Sequence, residues 1–399
     1  MNNTWQIKTL QELGTFSKGA GISKADILPE GLPCIRYAEI YTKYDFQAKT
    51  LESFISRETA DQSKHITKGT LLFAGSGETA EEIGKSIAYT GNETAYAGGD
   101  TIIFNFTNPQ ENTLFYSYYL NTTGRRQINK LGEGQSIVHI YPAELAKVKV
   151  PVPPLSEQHR IVAVLETWDK AISLTKRLIE QKEIQKKHLM RQLLTGKTRL
   201  KGFSGKWVSL PLSDILYERN QYQTKNQNMP HLSLTLEGVC KKTERYNRDF
   251  LVKDKNKIYK ITHKNDICYN PANLKFGVIC MNNFGSGFFS PIYITYEVVK
   301  YDSAFVGYLL TLPTSIAQAR RFEQGTVYER MSVSSEDFLK VKLLFPPTEE
   351  ESSCISNIIS SSDREISLLK EKLTKLQQQK KGLMQILLTG KVRLNNKNK

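Results

Sequence analysis

The chain predicts a mixed α/β protein built as a tandem repeat, with each α/β domain followed by a long coiled-coil helix. Three observations carry this. The segment "KKHLMRQLLTGKTRL" (186–200) returns as "KKGLMQILLTGKVRL" (380–394), 194 residues later. Before each copy, apolar residues recur at alternating spacings of three and four, the seam pattern of a coiled coil. Ahead of each seam stands a Pro-Pro pair preceded by a strand-like run, "KVKVPVPP" (147–154) and "KVKLLFPP" (340–347).

The repeat divides 399 residues into residues 1–152 and 201–345, the two α/β domains, and 153–200 and 346–399, the two helical segments. On the first helix the seam runs through Leu165, Trp168, Ile172, Ile179, Leu189 and Leu193. On the second it runs through Ile359, Ile366, Leu369, Leu373, Leu376, Leu383 and Leu387. Lys186 and Lys380 fall on the seam at equivalent places, where a charge marks either a register device or a frayed contact. About 38 residues at 1.5 Å each give a rod of about 57 Å. Gly196 and Gly390 read as helix stops, with Lys197 and Lys391 beside the negative end of the helix dipole. In the α/β domains, β-rich runs such as "TIIFNF" and "PIYITYEVV" are followed by helical pieces, "LFYSYYLNTTGRRQINKL" and "SAFVGYLLTLPTSIAQARRF".

Composition narrows the class. Hydrophobic residues make up 39% and aromatics 10%, a globular balance. No apolar run reaches the length of a membrane span, and the N-terminus does not read as a signal peptide. The five cysteines are scattered, which suits a reduced, cytoplasmic protein. A net charge of +15 points to a polyanion, most often nucleic acid. The excess is uneven: residues 1–152 hold 15 basic against 16 acidic side chains, and residues 201–345 hold 20 against 13.

Apparent catalytic motifs dissolve on inspection. "LLTGKT" lacks the glycine a phosphate loop needs five residues upstream, where Arg191 stands, and its second copy replaces Thr198 with Val392. "LLFAGSGET" (71–79) and "YNPAN" (269–273) resemble parts of a methyl-transfer site, but they occupy the same place in the two repeats. No histidine or cysteine set has metal-ligand spacing, and no catalytic residues are assigned. The candidate binding residues are paired arginines at equivalent positions, Arg125–Arg126 and Arg320–Arg321, each followed by a glycine-containing turn. Arginine can fork onto a guanine edge or a phosphate. Gln127, Gln135, Gln324, Tyr328 and Arg330 add donors nearby, and Lys18, Lys43 and Lys275 are further candidates.

The layout of variable domain, Pro-Pro pair, long helix and "LLTGK-x-RL", repeated, resembles the specificity subunit of type I restriction-modification systems. The resemblance rests on "PVPPLSEQHRIVAVLETWDKAI" with "KKHLMRQLLTGKTRL", and on "PPTEEESSCISNIISSSDREI" with "KKGLMQILLTGKVRL". "LGTFSKG" and "GLPCIRYAEI" are similar to the start of such a target-recognition domain. The second copy departs at "EEESSC", which weakens the Glu-Gln pair of the first. The resemblance implies two target-recognition domains joined by antiparallel spacer helices with pseudo-two-fold symmetry. It implies double-stranded DNA as ligand, each domain reading one half of a bipartite site. It also implies two modification (methyltransferase) subunits using S-adenosylmethionine, and restriction subunits using ATP and magnesium, with no cofactor on this chain. Two other readings stand beside it: the specificity subunit of a type II system of the IIB kind, and a stand-alone DNA-binding scaffold.

Overall fold

The computed structural model describes residues 5–79, 82–134, 137–224, 229–242, 258–325 and 331–394. It contains two compact units: residues 1–176 with 372–399, and residues 177–371. The units do not follow chain order. The helices Leu155–Leu193 and Glu349–Leu387, 39 residues each, give one half to each unit.

In the first unit the main sheet has the order Gly14–Lys18, Thr101–Phe106, Leu71–Ala74, Ser86–Tyr89, Gln47–Ala48. Its pairs are antiparallel except the last. In the second unit the corresponding order is Leu216–Glu218, Ile294–Val298, Ile267–Tyr269, Ile279–Met281, all antiparallel. The returning strand of each domain pairs with that domain's first strand, Lys149–Val152 with Gln6–Thr9 and Lys342–Phe345 with Val208–Pro211. This pairing closes each domain just before its long helix begins. Beyond the shared sheet the domains differ. The first has a second, four-stranded sheet, and the second has a three-stranded sheet and the hairpin Leu232–Thr235/Gly238–Lys241.

The predicted elements have physical causes in the structure. The first long helix starts directly after its Pro-Pro pair and the second one residue later, after Thr348, each with acidic side chains in the first turn where the dipole favours them. The turns that end them place Gly196 at φ +69° and Gly390 at φ +70°, left-handed values that glycine adopts without strain. The indole rings of Trp207 and Trp5 close over those two glycines. The seam residues on both helices are all buried or half-buried, with Leu165 and Ile359 fully enclosed.

Within each unit the helix halves run antiparallel, and charged pairs fix their register. In the first unit Lys380 binds Asp169, and Asp169 also accepts the Tyr118 hydroxyl from the domain. The ammonium lies 4.2 Å from the Phe46 ring centroid and 4.9 Å from that of Tyr118. Burial works against the Lys380 charge, and Asp169 opposes that effect. In the second unit Lys186 binds Asp363, which accepts the Tyr308 hydroxyl at 2.7 Å. The seam lysines are therefore register devices. A slip by one turn would leave a lysine on the seam without its acid, and an unpaired buried charge is costly.

A second clasp closes each unit at the helix start. Arg393 donates to the Glu157 carboxylate at 2.7 and 2.8 Å, Trp5 Nε1 donates to it at 3.0 Å, and the Leu394 N–H at 3.1 Å. Arg199 donates to Glu351 at 2.6 and 2.8 Å. The arginines are those of the two "LLTGK-x-RL" copies. The departure at "EEESSC" also resolves. Gln158 accepts the N–H of Asn112, and Ser352 accepts the N–H of Asp302. Asn112 and Asp302 are the N-caps of equivalent helices, so a serine does the work of the glutamine.

Breaking the more buried register pair should cost most. Lys380 has a side chain only 6% exposed, against 22% for Lys186. Lys380→Ala should destabilise the protein by about 3 kcal/mol in urea unfolding, and Lys186→Ala by about 1 kcal/mol or less. The triple variant Lys380→Met/Asp169→Leu/Tyr118→Phe, which leaves neither a charge nor the Tyr118 hydroxyl unpaired, should recover most of the first loss. A pH signature belongs to Glu157. Burial opposes its ionisation, but Arg393 and the Trp5 N–H outweigh burial and hold the carboxyl below the ordinary range. A lowered folded-state value stabilises above the unfolded value and loses that effect as pH falls through the folded one. The stability advantage of wild type over Glu157→Gln should therefore be full at pH 7 and shrink below about pH 4.

Candidate nucleic-acid interface

The candidate cations sort into committed and available groups. Lys43, just after the helix Tyr37–Thr42, lies 2.9 Å from Glu39 and 3.5 Å from Glu52. Hydrogen bonding to Glu39 raises its pKa. Glu39 is almost fully buried. Burial opposes its charge, yet its bonds to Ser53, Lys43 and the Arg36 N–H keep its carboxyl below the ordinary range. Lys43 is thus the counter-ion of a buried acid. Gln127 is committed as well, since its side-chain amide donates to the Lys149 carbonyl and accepts the Lys149 N–H, at 2.9 and 3.1 Å. Lys18 lies 3.3 Å from Asp100, and Arg320 lies 3.0 Å from Glu323.

Others present their charge outward. Arg126 and Arg321 are exposed, without an ion-pair partner among the described residues. Lys275 is exposed, its ammonium 5.1 Å from the ring centroid of Phe276, itself largely exposed. A cation beside a free aromatic face suits stacking on a base or sugar. Arg125 is half-buried, and burial lowers its pKa against the nearby Tyr41 and Glu82. Tyr328, Arg330 and Gln135 lie outside the described residues. Gln324 is exposed, and its amide donates to Asp337 at 3.0 Å.

The structure brings Arg125 and Arg126 to one cleft of the first unit; Lys18 and Lys43 do not line it. The cleft adds Lys381, which sequence reasoning did not single out, and Lys391, which it did. Also missed was the 2.9 Å contact between Ser76 Oγ and His139 Nδ1, which pins two short strands together. Their separation of 63 residues leaves no local signal. The Arg199 and Arg393 clasps did have a signal, since both arginines sit inside the repeated segment. Among the described residues, no group of histidine, cysteine or acidic side chains could hold a metal ion. No helix among them is long and apolar enough to cross a membrane.

Residues 2–183 match the family model for the type I restriction modification DNA specificity domain. Over 98% of its length the chain is 22% identical to a putative type I restriction enzyme MjaX specificity subunit of Methanocaldococcus jannaschii, covering 94% of that protein. It is 23% identical to the type I restriction enzyme MjaVIII specificity subunit of the same organism, over 71% of each chain. Its fold is similar to that of a type I restriction-modification S subunit from M. genitalium, with a TM-score of 0.59, 17% identity and 97% of both chains covered. Residues 2–183 thus match a type I restriction modification DNA specificity domain, and the chain as a whole is similar to type I restriction enzyme specificity subunits.

Proposed function

We propose that this chain is the DNA sequence-recognition subunit of a type I restriction-modification enzyme, with each α/β domain reading one half of a bipartite site. The observation that carries the reading is duplication with divergence. The two domains share one sheet order and the same lysine–aspartate–tyrosine tie to the helices, yet differ in their second sheets. A conserved mount with a variable outer part is what two independent readers require.

The chain supplies recognition and no chemistry of its own. Two modification subunits would transfer a methyl group to adenine from S-adenosylmethionine, and restriction subunits would use ATP and magnesium. Exposed apolar side chains on the long helices, Leu174 and Ile184 on the first and Leu368 on the second, offer those subunits an anchor. The near-neutral first domain fits a division of labour in which partners add phosphate contacts and this chain reads base edges. Half-sites one helical turn apart, about 34 Å, lie on one face of the duplex.

Domain exchange tests the assignment. Replacing residues 1–150 with the matching domain of another such subunit should change one half of the methylated motif. A change in both halves would contradict two independent readers. Insertion tests the spacer. One helical turn added between Asp169 and Lys182, and one between Lys370 and Lys380, leaves every register pair intact. The unread gap of the motif should lengthen while both half-sites stay the same.

A further inference from the structure

We propose that the first unit contains a phosphate-binding cleft where the turn after the helix Thr113–Leu120 meets the end of the helix Glu349–Leu387. It takes up about 680 Å³. Four cations line it, Arg125, Arg126, Lys381 and Lys391, and no acidic side chain does. Arg126, Lys381 and Lys391 are exposed and have no ion-pair partner among the described residues. Unneutralised like charges around one concavity repel each other, and a bound anion turns that repulsion into attraction. The helix end accounts for part of the set, because a C-terminal dipole favours Lys391, while Lys381 lies before the last turn. It does not account for the two arginines, which come from a different element.

The internal repeat supplies a control. The equivalent cleft of the second unit is lined by Thr311, Leu312 and Pro313 where the first has Asn121, Thr122 and Thr123. The expected equivalence of Arg320–Arg321 with Arg125–Arg126 does not hold: Arg125 and Arg126 begin a short helix, Arg320 and Arg321 lie at the end of another, and neither lines this cleft, which carries Glu183, Glu237 and Asp363 among its walls. Two of its four cations are already neutralised, Lys186 by Asp363 and Lys370 by Glu183. The same place in the fold is therefore a net cation well in one unit and nearly balanced in the other. The first domain as a whole has no basic excess, so its two arginines are a local concentration, and the helix end adds Lys381 and Lys391 to them.

Phosphate is the chemistry that fits. Guanidinium groups fork onto phosphate oxygens, and ammonium groups add compact charge. At about 30 Å³ per water, the volume matches roughly twenty waters, enough for a phosphodiester and its sugars. The source is either the DNA backbone or a free phosphate. The DNA arm of the test rests on the recognition function proposed above; the phosphate arm does not.

The test uses the full chain and the triple variant Arg126→Gln/Lys381→Gln/Lys391→Gln. Lys187→Gln/Arg191→Gln in the second unit is the control. Binding of a random-sequence duplex is followed against salt, and binding of inorganic phosphate by titration. With a DNA source, the triple variant lowers the salt-dependence slope by about 2 to 3, at about 0.9 per phosphate, and the control lowers it by less than 1. With a free-phosphate source, the triple variant abolishes saturable phosphate binding and the slope is unchanged. Equal effects of triple variant and control per charge removed would overturn the cleft in favour of diffuse charge. No change in either assay, or loss of a partner subunit alone, would also overturn it. Absence of duplex binding by the wild type excludes the DNA source for the isolated chain and leaves the phosphate titration to decide the cleft.

Discussion

A lysine enclosed on the seam between two helices is stable in one register only, the one that places an acid against it. Lys380 meets Asp169 and Lys186 meets Asp363, and each acid also takes a tyrosine hydroxyl from the neighbouring α/β domain. One small cluster thus does two things. It sets how the helices pair, and it sets how the domain sits on them. Apolar seam residues alone would tolerate a slip by a turn at modest cost. A buried ammonium does not, because the displaced charge finds no partner. The arginine clasps on Glu157 and Glu351 fix the other end of each contact, where the helix begins.

This division explains why the two domains can differ so much outside their shared sheet. The contacts that mount a domain come from the helix Thr113–Leu120 or its counterpart Ser303–Leu310, and from the strand that pairs with the domain's first strand. The second sheet of each domain is not part of that mount. It can change in strand number and loop length without disturbing register. Recognition specificity is then free to vary on a fixed support, which is the property a family of sequence readers needs.

Much of this was legible in the sequence because it is periodic or repeated. The seam spacing, the Pro-Pro entries and the "LLTGK" stops each have a local physical cause, and the duplication exposed the period of the chain. The sheet order of the domains was not legible, since it depends on pairings between segments as distant as Gly14–Lys18 and Thr101–Phe106. The state of individual side chains was hidden for the same reason. Nothing near Lys43 or Gln127 in the sequence reveals that one neutralises a buried Glu39 while the other holds the backbone of Lys149. Arg126 and Lys381 stand 255 positions apart and meet only in the folded unit. The weakened Glu-Gln pair is instructive in the other direction. Ser352 replaces Gln158 by residue type but accepts the equivalent helix-cap N–H, so a lost motif did not mean a lost contact.

The most direct measurement is the methylome of a host carrying this chain with the modification subunit proposed for it. Two independent readers on one support predict a bipartite motif, with methylated adenine in each of two defined half-sites separated by an unspecified gap of constant length. A single contiguous motif, or a gap that varies from site to site, would contradict two domains that each read one half-site.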